Sequence, residues 1–493
     1  MKKYILALDQ GTTASRAALF DRAGAIRGFA ARPVPQLYPR PGWVEHDPKA
    51  LYDTQLEAAK ACMERAGAAA ADIEAVGIAN QRETTVVWDR ETGEPVYNAI
   101  VWQCRRTAPL MDSLKESACD ALLLDKTGLT ADAYFSASKI KWILDSVPGA
   151  RERAEAGRLL FGTVDSYLLY RLTGGRVHAT DYTNASRTLL FDIHTLGWDD
   201  ELLELFTVPG AMLPTVFPSG REYGRTQSAV FGKSLPILSV CGDQQAALYG
   251  QGCTAKGDIK NTYGTGCFLL MNTGTECVRS KRGLITSLAA TPGDTPSYVL
   301  EGSVFVGGAV VRWLRDGLKL IDSAAESEAV ARSVEDSGGV FVVPAFVGLG
   351  APHWDSAARG IVTGITQGTD RAHIVRAALE SIAYQVFDVL HAMERDLNTE
   401  VTRLNVDGGA SQNNFLLQFQ ADILSATVVR PPIFETTALG AALLAGQTAG
   451  FYDASVWDRL KAGADVFEPA CSVDKRRERL LGWSAAVARC KVK

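Results

Sequence analysis

The sequence predicts an α/β chain built from two related halves with a ligand cleft between them. Three observations carry that expectation. At 493 residues the chain is long for one hydrophobic core. A strand, a Gly-Thr turn and a returning strand occur near the N-terminus and recur about 250 residues later. Between them an apolar run from Leu235 to Val240 leads into Gly242-Asp243-Gln244-Gln245-Ala246-Ala247, where a strand gives way to a helix. A carboxylate at such a corner points into the crevice beyond the strand ends, so Asp243 is the candidate catalytic centre.

The elements follow in order. Residues 4–8 read as a strand, Asp9-Gln10-Gly11-Thr12-Thr13 as a polar turn, 16–20 as the returning strand and 25–30 as a third. A tip rich in Gly and Thr offers N–H groups and hydroxyls to phosphate oxygens, and Asp9 could hold a hydrated Mg²⁺; an ordinary hairpin loop is the competing reading. Asp47 and Pro48 predict a helix start, with Leu51, Leu56 and Ala59 on its apolar face. A strand over 73–79 delivers Asn80-Gln81-Arg82-Glu83-Thr84-Thr85. Arg82 donates hydrogen bonds and Glu83 accepts them, which suits a polyhydroxylated ligand; a surface ion pair is the alternative. Trp102 could wall a small pocket, but taken alone it reads as core.

A helix is predicted from Ser136, its cap, to Leu144, with the Tyr134 hydroxyl just before it. Another covers 163–172, a polar loop 180–187, and a Pro- and Gly-bearing connection 207–225. After Asp243, residues 258–270 again read strand, turn, strand, around Tyr263-Gly264-Thr265-Gly266. Glu301 to Ala309 is expected to open a helix through Leu314. Asp370 is expected to cap a long helix carrying Val375, Leu379, Ile382, Val386, Val389 and Met393 on one stripe. A strand over 404–406 runs into Asp407-Gly408-Gly409, whose glycines would let a helix N-terminus approach a nucleotide.

Composition excludes several classes. Hydrophobic residues make up 47% and charged ones 22%, as in ordinary globular enzymes. The net charge is −5 without a basic stretch, which argues against a nucleic-acid partner. No apolar run approaches the ~20 residues of a membrane span. The opening run from Met1 to Asp9 lacks a small-residue cleavage site and is not expected to be a signal peptide. Nine scattered cysteines without a CxxC pair point to reduced thiols in the cytoplasm, with Cys241 a small buried hydrophobe. Gly232-Lys233-Ser234 lacks the upstream glycine of a P-loop, Gly348-Leu349-Gly350 lacks the third glycine of a dinucleotide fingerprint, and neither HExxH nor a nucleophile-elbow serine occurs.

From Leu8-Asp9-Gln10-Gly11-Thr12-Thr13 to Thr437-Ala438-Leu439-Gly440-Ala441-Ala442, the chain resembles the FGGY carbohydrate kinase family end to end. The segments 134–145 and 360–380 fit its two signatures. Asn80-Gln81-Arg82-Glu83-Thr84 with Trp102-Gln103-Cys104-Arg105-Arg106 resembles the members that phosphorylate glycerol rather than xylulose, ribulose or gluconate. The resemblance implies two ribonuclease-H-like domains of the actin, Hsp70 and sugar-kinase superfamily, divided as 1–248 and 249–493, with ATP in the cleft. It implies phosphorylation of glycerol to sn-glycerol 3-phosphate, with Asp243 as general base and Mg²⁺ near Asp9 and Asp243. Arg82, Glu83, Tyr134, Asp243 and Gln244 would contact glycerol, walled by Trp102 and Phe268. Thr12, Thr13, Ala14, Arg16, Thr265, Gly308, Arg312, Gly409 and Asn413 would line the nucleotide site. Ala14 and Arg312 stand where relatives usually carry Ser and Gln. The segment 230–235 is shorter than the loop that binds fructose 1,6-bisphosphate in some relatives and has no histidine. Neither it nor residues 470–474 match the regulatory segments of relatives, so the chain is expected to lack those controls. Relatives form dimers and tetramers, so a homodimer or homotetramer is expected. A kinase for another polyol such as erythritol, or an ATP-driven chaperone or filament protein, are the alternatives.

Overall fold

The computed structural model describes residues 3–117, 119–355, 357–453 and 455–491. Met1 and Lys2 of the opening run lie outside them. Two mixed sheets form the frame. The first has six strands in the order Gly220–Arg225, Pro236–Gly242, Ile73–Asn80, Tyr4–Gln10, Ala14–Phe20 and Ile26–Pro33. The middle three run parallel, the hairpin side is antiparallel and the far edge is antiparallel again. The second sheet repeats this plan: Tyr298–Val304, Cys267–Gly274 and Ile259–Tyr263 form the meander, Arg403–Asp407 and Thr427–Arg430 add parallel strands, and Asp465–Phe467 closes the edge antiparallel. Ile285–Leu288 extends its outer side. The expected duplication is therefore present strand for strand.

Central parallel strands are covered on both faces, which explains their unbroken apolar runs. The helix Pro48–Arg65 packs on one side of the first sheet, with Asp47 capping it through the Lys49 N–H at 2.9 Å. The helix Arg371–Leu397 backs the second sheet, capped by Asp370, and its six stripe residues are all buried. The helix Thr436–Thr448 belongs to the second half by number but covers the first sheet, where it packs with Ile5, Ala7, Ala75 and Ala79.

Four local expectations are corrected. Ser136 is the first residue of its helix rather than the cap, and its hydroxyl donates instead to the Glu83 carbonyl at 3.0 Å. The segment 180–187 holds a strand end and a short helix, Tyr182–Ala185, capped by Asp181. The connection 207–225 contributes the strands Thr215–Phe217 and Gly220–Arg225. Glu301 lies inside the strand Tyr298–Val304, and the helix starts only at Ala309. For the strands at 179–181, 215–225 and 298–304, pairing with another strand decided the local structure.

The helix that begins at Asp243, Asp243–Gly250, crosses Thr436–Thr448 at two glycines. A Cβ on Gly440 would lie 1.8 Å from the Ala246 carbonyl oxygen, and one on Gly250 would lie 2.3 Å from that of Thr436. Backbone cannot yield as a side-chain tip can. We therefore expect Gly440→Ala to destabilise the protein by about 1–3 kcal/mol, the usual range for overpacking. An unchanged denaturation midpoint for this variant would contradict the crossing.

Candidate active site

The parallel strands of both sheets end at the same side, and the chemistry-bearing residues lie at those ends. Ile73–Asn80 delivers Arg82 and Glu83; Pro236–Gly242 delivers Asp243; Tyr4–Gln10 leads to the Gly11–Thr13 tip. Arg82 and Glu83 are both buried, so they are no surface pair. Their own contact is long, 3.9 Å. Arg82 instead grips Glu301 of the second sheet in a two-pronged pair, at 2.6 and 2.9 Å. Its Nε lies 3.4 Å from Asp243 Oδ1. Glu83 accepts from Arg187 Nε at 2.6 Å, and Arg187 reaches on to Glu301 at 3.4 Å. Two guanidinium groups and two carboxylates thus alternate in a dry chain that ends at Asp243.

The backbone is shaped for this chain. Gly242 has no Cβ, and one placed there would meet Arg82 Cγ and Cδ at 2.8 Å. Glu83 adopts φ 61°, a left-handed conformation that residues other than glycine rarely take. Its carbonyl is held by the hydroxyls of Ser136 and Thr85. Beneath the strand ends, Asn80 and Asn184 exchange amide bonds at 2.9 and 3.1 Å, and Thr183 takes the Gly242 N–H at 2.7 Å. The polar segment 180–187 is the floor of the site.

Electrostatics follow from burial. Burial works against the Glu301 charge, but Arg187 and Arg82 outweigh it and pull its pKa down to about 2. Burial raises Glu83, while the same two arginines lower it. Asp243 is pushed up by desolvation and further by Asp9, with Arg82 opposing. Its side chain keeps 27% exposure against 0% for Glu301, so Asp243 is the carboxylate a ligand can reach. Asp9 is raised to about 6 by burial, although Arg16 at 3.4 Å lowers it.

The remaining expected residues gather at the Arg82–Asp243 corner and around the two hairpin tips. Trp102 is half-buried rather than core; it meets Tyr134 edge-on at 5.5 Å and donates to Thr12 Oγ1 at 2.9 Å. Gln244 accepts from Lys260 and donates its backbone N–H to Asp243 Oδ1 at 2.7 Å. Phe268 is half-buried on the second hairpin, its carbonyl bound by Lys260. These join the Arg82–Asp243 corner. Others gather at the second tip. Gly308 N–H bonds the Gly264 carbonyl at 2.9 Å, and a Cβ on Gly308 would lie 3.9 Å from Ala410 Cβ, beside Gly409. Gly409 itself faces open space. Arg312 is exposed and donates to Thr265 Oγ1 at 3.2 Å. Asn413 caps the helix Asn414–Leu424 through the Leu416 N–H and donates to Ser327. Thr13 is exposed at the first tip, and Ala14 takes the Gly11 N–H at 3.1 Å.

Sequence reasoning missed Glu301, Arg187 and Lys260. The polar density of 180–187 matched that of 80–85 and was the available signal for Arg187. All nine cysteines are unpaired. Among the described residues no helix is long and apolar enough to cross a membrane.

Residues 4–250 match the N-terminal domain of the FGGY family of carbohydrate kinases, and residues 259–449 match its C-terminal domain. The chain belongs to the FGGY family of carbohydrate kinases. It is 58% identical to a glycerol kinase of Symbiobacterium thermophilum over 99% of both chains. It is 57% identical to glycerol kinase 2 of Thermotoga maritima over 99% of this chain and 98% of the other. Among solved structures, Plasmodium falciparum glycerol kinase with ADP superposes with a TM-score of 0.93 at 37% identity, over 99% of this chain and 98% of that one. Xylulose kinase of Lactobacillus acidophilus, at 22% identity and a TM-score of 0.87 over 99% and 97%, shares the fold. The two-domain α/β architecture of these kinases is thus the architecture of this chain.

Removing the Glu301 charge should leave two buried guanidinium groups short of a partner. Glu301→Gln is expected to lose about 3–5 kcal/mol, the range for breaking a buried ion pair. Because the native carboxyl is depressed from 4.5 to about 2, its contribution is whole above pH 4.5 and fades as pH falls toward 2. The variant should therefore show a flatter acid limb in urea midpoints measured across that window. A midpoint equal to wild type at neutral pH would refute the network's role.

Proposed function

We propose that this chain transfers the γ-phosphoryl group of ATP to a terminal hydroxyl of glycerol, giving sn-glycerol 3-phosphate and ADP. The observation that carries this reading is the reachable Asp243 at the end of the buried Arg82–Glu301–Arg187–Glu83 chain. The Gly-Thr tips nearby suit phosphate, and the full-length likeness to glycerol kinases supports the substrate. In this reading Arg82, Glu83, Tyr134 and Gln244 bind and orient the hydroxyls, with Trp102 and Phe268 as the apolar wall. Thr12, Thr13, Ala14, Arg16, Thr265, Gly308, Arg312, Gly409 and Asn413 line the nucleotide side. We assign residues 1–248 to the polyol-binding half and 249–493 to the nucleotide-binding half, with the helix Thr436–Thr448 reaching back to brace the first sheet.

Transfer is in line. The substrate oxygen bonds to phosphorus as the bond from phosphorus to the ADP oxygen breaks, and Asp243 takes the hydroxyl proton late in that motion. Burial raises the proton affinity of Asp243 above that of an ordinary carboxylate, while Arg82 favours its charged form. N–H groups at the tips stabilise charge on the transferring group. Mg²⁺ fits the residues present: Asp9 is a buried carboxylate with a long contact to Arg16, and its charge bears on Asp243. Asp9 and Asp243 would hold the ion through its waters, and it would neutralise phosphate charge. We place the protein in the cytoplasm, as the unpaired cysteines favour, and infer a homodimer or homotetramer from the family resemblance.

ADP release is measured with Mg·ATP and glycerol, erythritol, xylulose, ribulose or gluconate, and the product is identified by NMR. Release that depends on glycerol and yields glycerol 3-phosphate is expected; turnover confined to another polyol refutes the substrate. Asp243→Asn should fold normally and lose at least ~10²-fold in kcat. Near-normal turnover in that variant would remove Asp243 from the chemistry.

A further inference from the structure

Lys260 lies in the strand Ile259–Tyr263 and is wholly buried. Its ammonium donates to the Gln244 side-chain oxygen, to Thr262 Oγ1 at 2.8 Å and to the Phe268 carbonyl at 3.3 Å. Three donors meet three acceptors. Among the described residues no carboxylate lies within ion-pair distance of it. Burial pushes its pKa down to about 8, while Asp407 and Asp243 hold it up. A dehydrated lysine of this kind is rare and costly, and a methionine would fill the same space. Its charge therefore calls for an account beyond packing.

The account lies in the Gln244 amide. An ammonium has only donors, so the amide atom facing it must be the oxygen. The amide cannot flip, and Nε2 is left on the other side, without a hydrogen bond to the described residues. Gln244 follows Asp243 directly, and its backbone N–H already binds that carboxylate. We propose that Lys260 is a positioning residue for phosphoryl transfer, locking the Gln244 amide so that its N–H₂ faces the polyol and tying the helix of Asp243 to the second hairpin. The substrate hydroxyl oxygen then accepts from Gln244, which leaves its proton free to be donated to Asp243. This role rests on the glycerol reading of the site.

The test is steady-state kinetics of Lys260→Met, Gln244→Ala and the double variant, with glycerol and ATP varied separately. Each single variant should raise the glycerol KM at least about tenfold and leave the ATP KM within about twofold. Because Lys260 acts through Gln244, the double variant should be no worse than the worse single variant, within about twofold. A purely structural lysine would instead disturb both KM values, and its loss would multiply with that of Gln244→Ala. Either result, or a normal glycerol KM in Lys260→Met, overturns the proposal. If Lys260→Met does not fold, Thr262→Val loosens the ammonium without removing it. It should raise the glycerol KM about threefold or more, and an unchanged glycerol KM overturns the proposal. Wild-type protein without glycerol turnover would overturn the substrate reading and this role with it; normal wild type with unaffected variants would overturn this role alone.

Discussion

The buried pairing of Arg82 with Glu301 is the constraint on which the site depends. Arg82 stands at the end of a strand in the first sheet and Glu301 within a strand of the second. A buried guanidinium without its carboxylate would be strongly destabilising, so the two sheets can dock only in the register that satisfies both. Arg187 and Glu83 extend the same alternation of charge. The geometry at Asp243 is a consequence of this register, because Arg82 Nε lies against its carboxylate. In the proposed reading the site is thus preorganised by charges that do not themselves react.

This arrangement sets where desolvation is tolerated. Glu301 is dry and fully compensated, so its carboxyl stays ionised far into acid. Asp9 and Asp243 are less well compensated: burial raises the proton affinity of both, Glu435 adds to it at Asp9, and Asp9 adds to it at Asp243. Such imbalance is expected where a ligand must complete the charge pattern.

Much of this was legible in the sequence, and the legible parts share a cause. The repeated hairpin, the Asp243 corner and the polar run at 80–85 are local patterns, set by turn chemistry and strand periodicity. The helix at Asp370 was legible because its cap and stripe are local too. Glu301 was not, since its partner Arg82 is 219 positions away and a lone charge within a strand reads as a solvent-facing residue. Arg187 and Glu83 are 104 positions apart. Lys260 binds Gln244 only 16 positions away, yet across a helix-to-strand reversal that periodicity does not describe. The surface-pair alternative for Arg82 and Glu83 failed because both residues have better partners than each other.

The duplicated topology also shows how one plan yields two kinds of site. The first strand of each half ends in a Gly-Thr tip, Gly11-Thr12 and Gly264-Thr265, so both halves keep the phosphate-suited turn. At the next parallel strand the halves diverge. The first presents Asn80, Gln81, Arg82 and Glu83; the second presents Asp407, Gly408 and Gly409. Charged side chains fill the space beyond the first sheet and leave room for a small hydroxylated molecule. Gly409 leaves the space beyond the second sheet open, with nothing within 4 Å of a Cβ placed there, while Gly408, at φ 88°, lets the chain turn tightly against the Tyr263 carbonyl oxygen, 2.5 Å from where a Cβ would lie. Backbone there can approach a large flat ligand that side chains would exclude. A third parallel strand completes the asymmetry, ending at Asp243 in the first half and at Pro431 in the second. A carboxylate at the end of this third strand therefore occurs on one side only, and in the proposed reading the direction of transfer, from the open half to the charged half, follows from which strand end carries it.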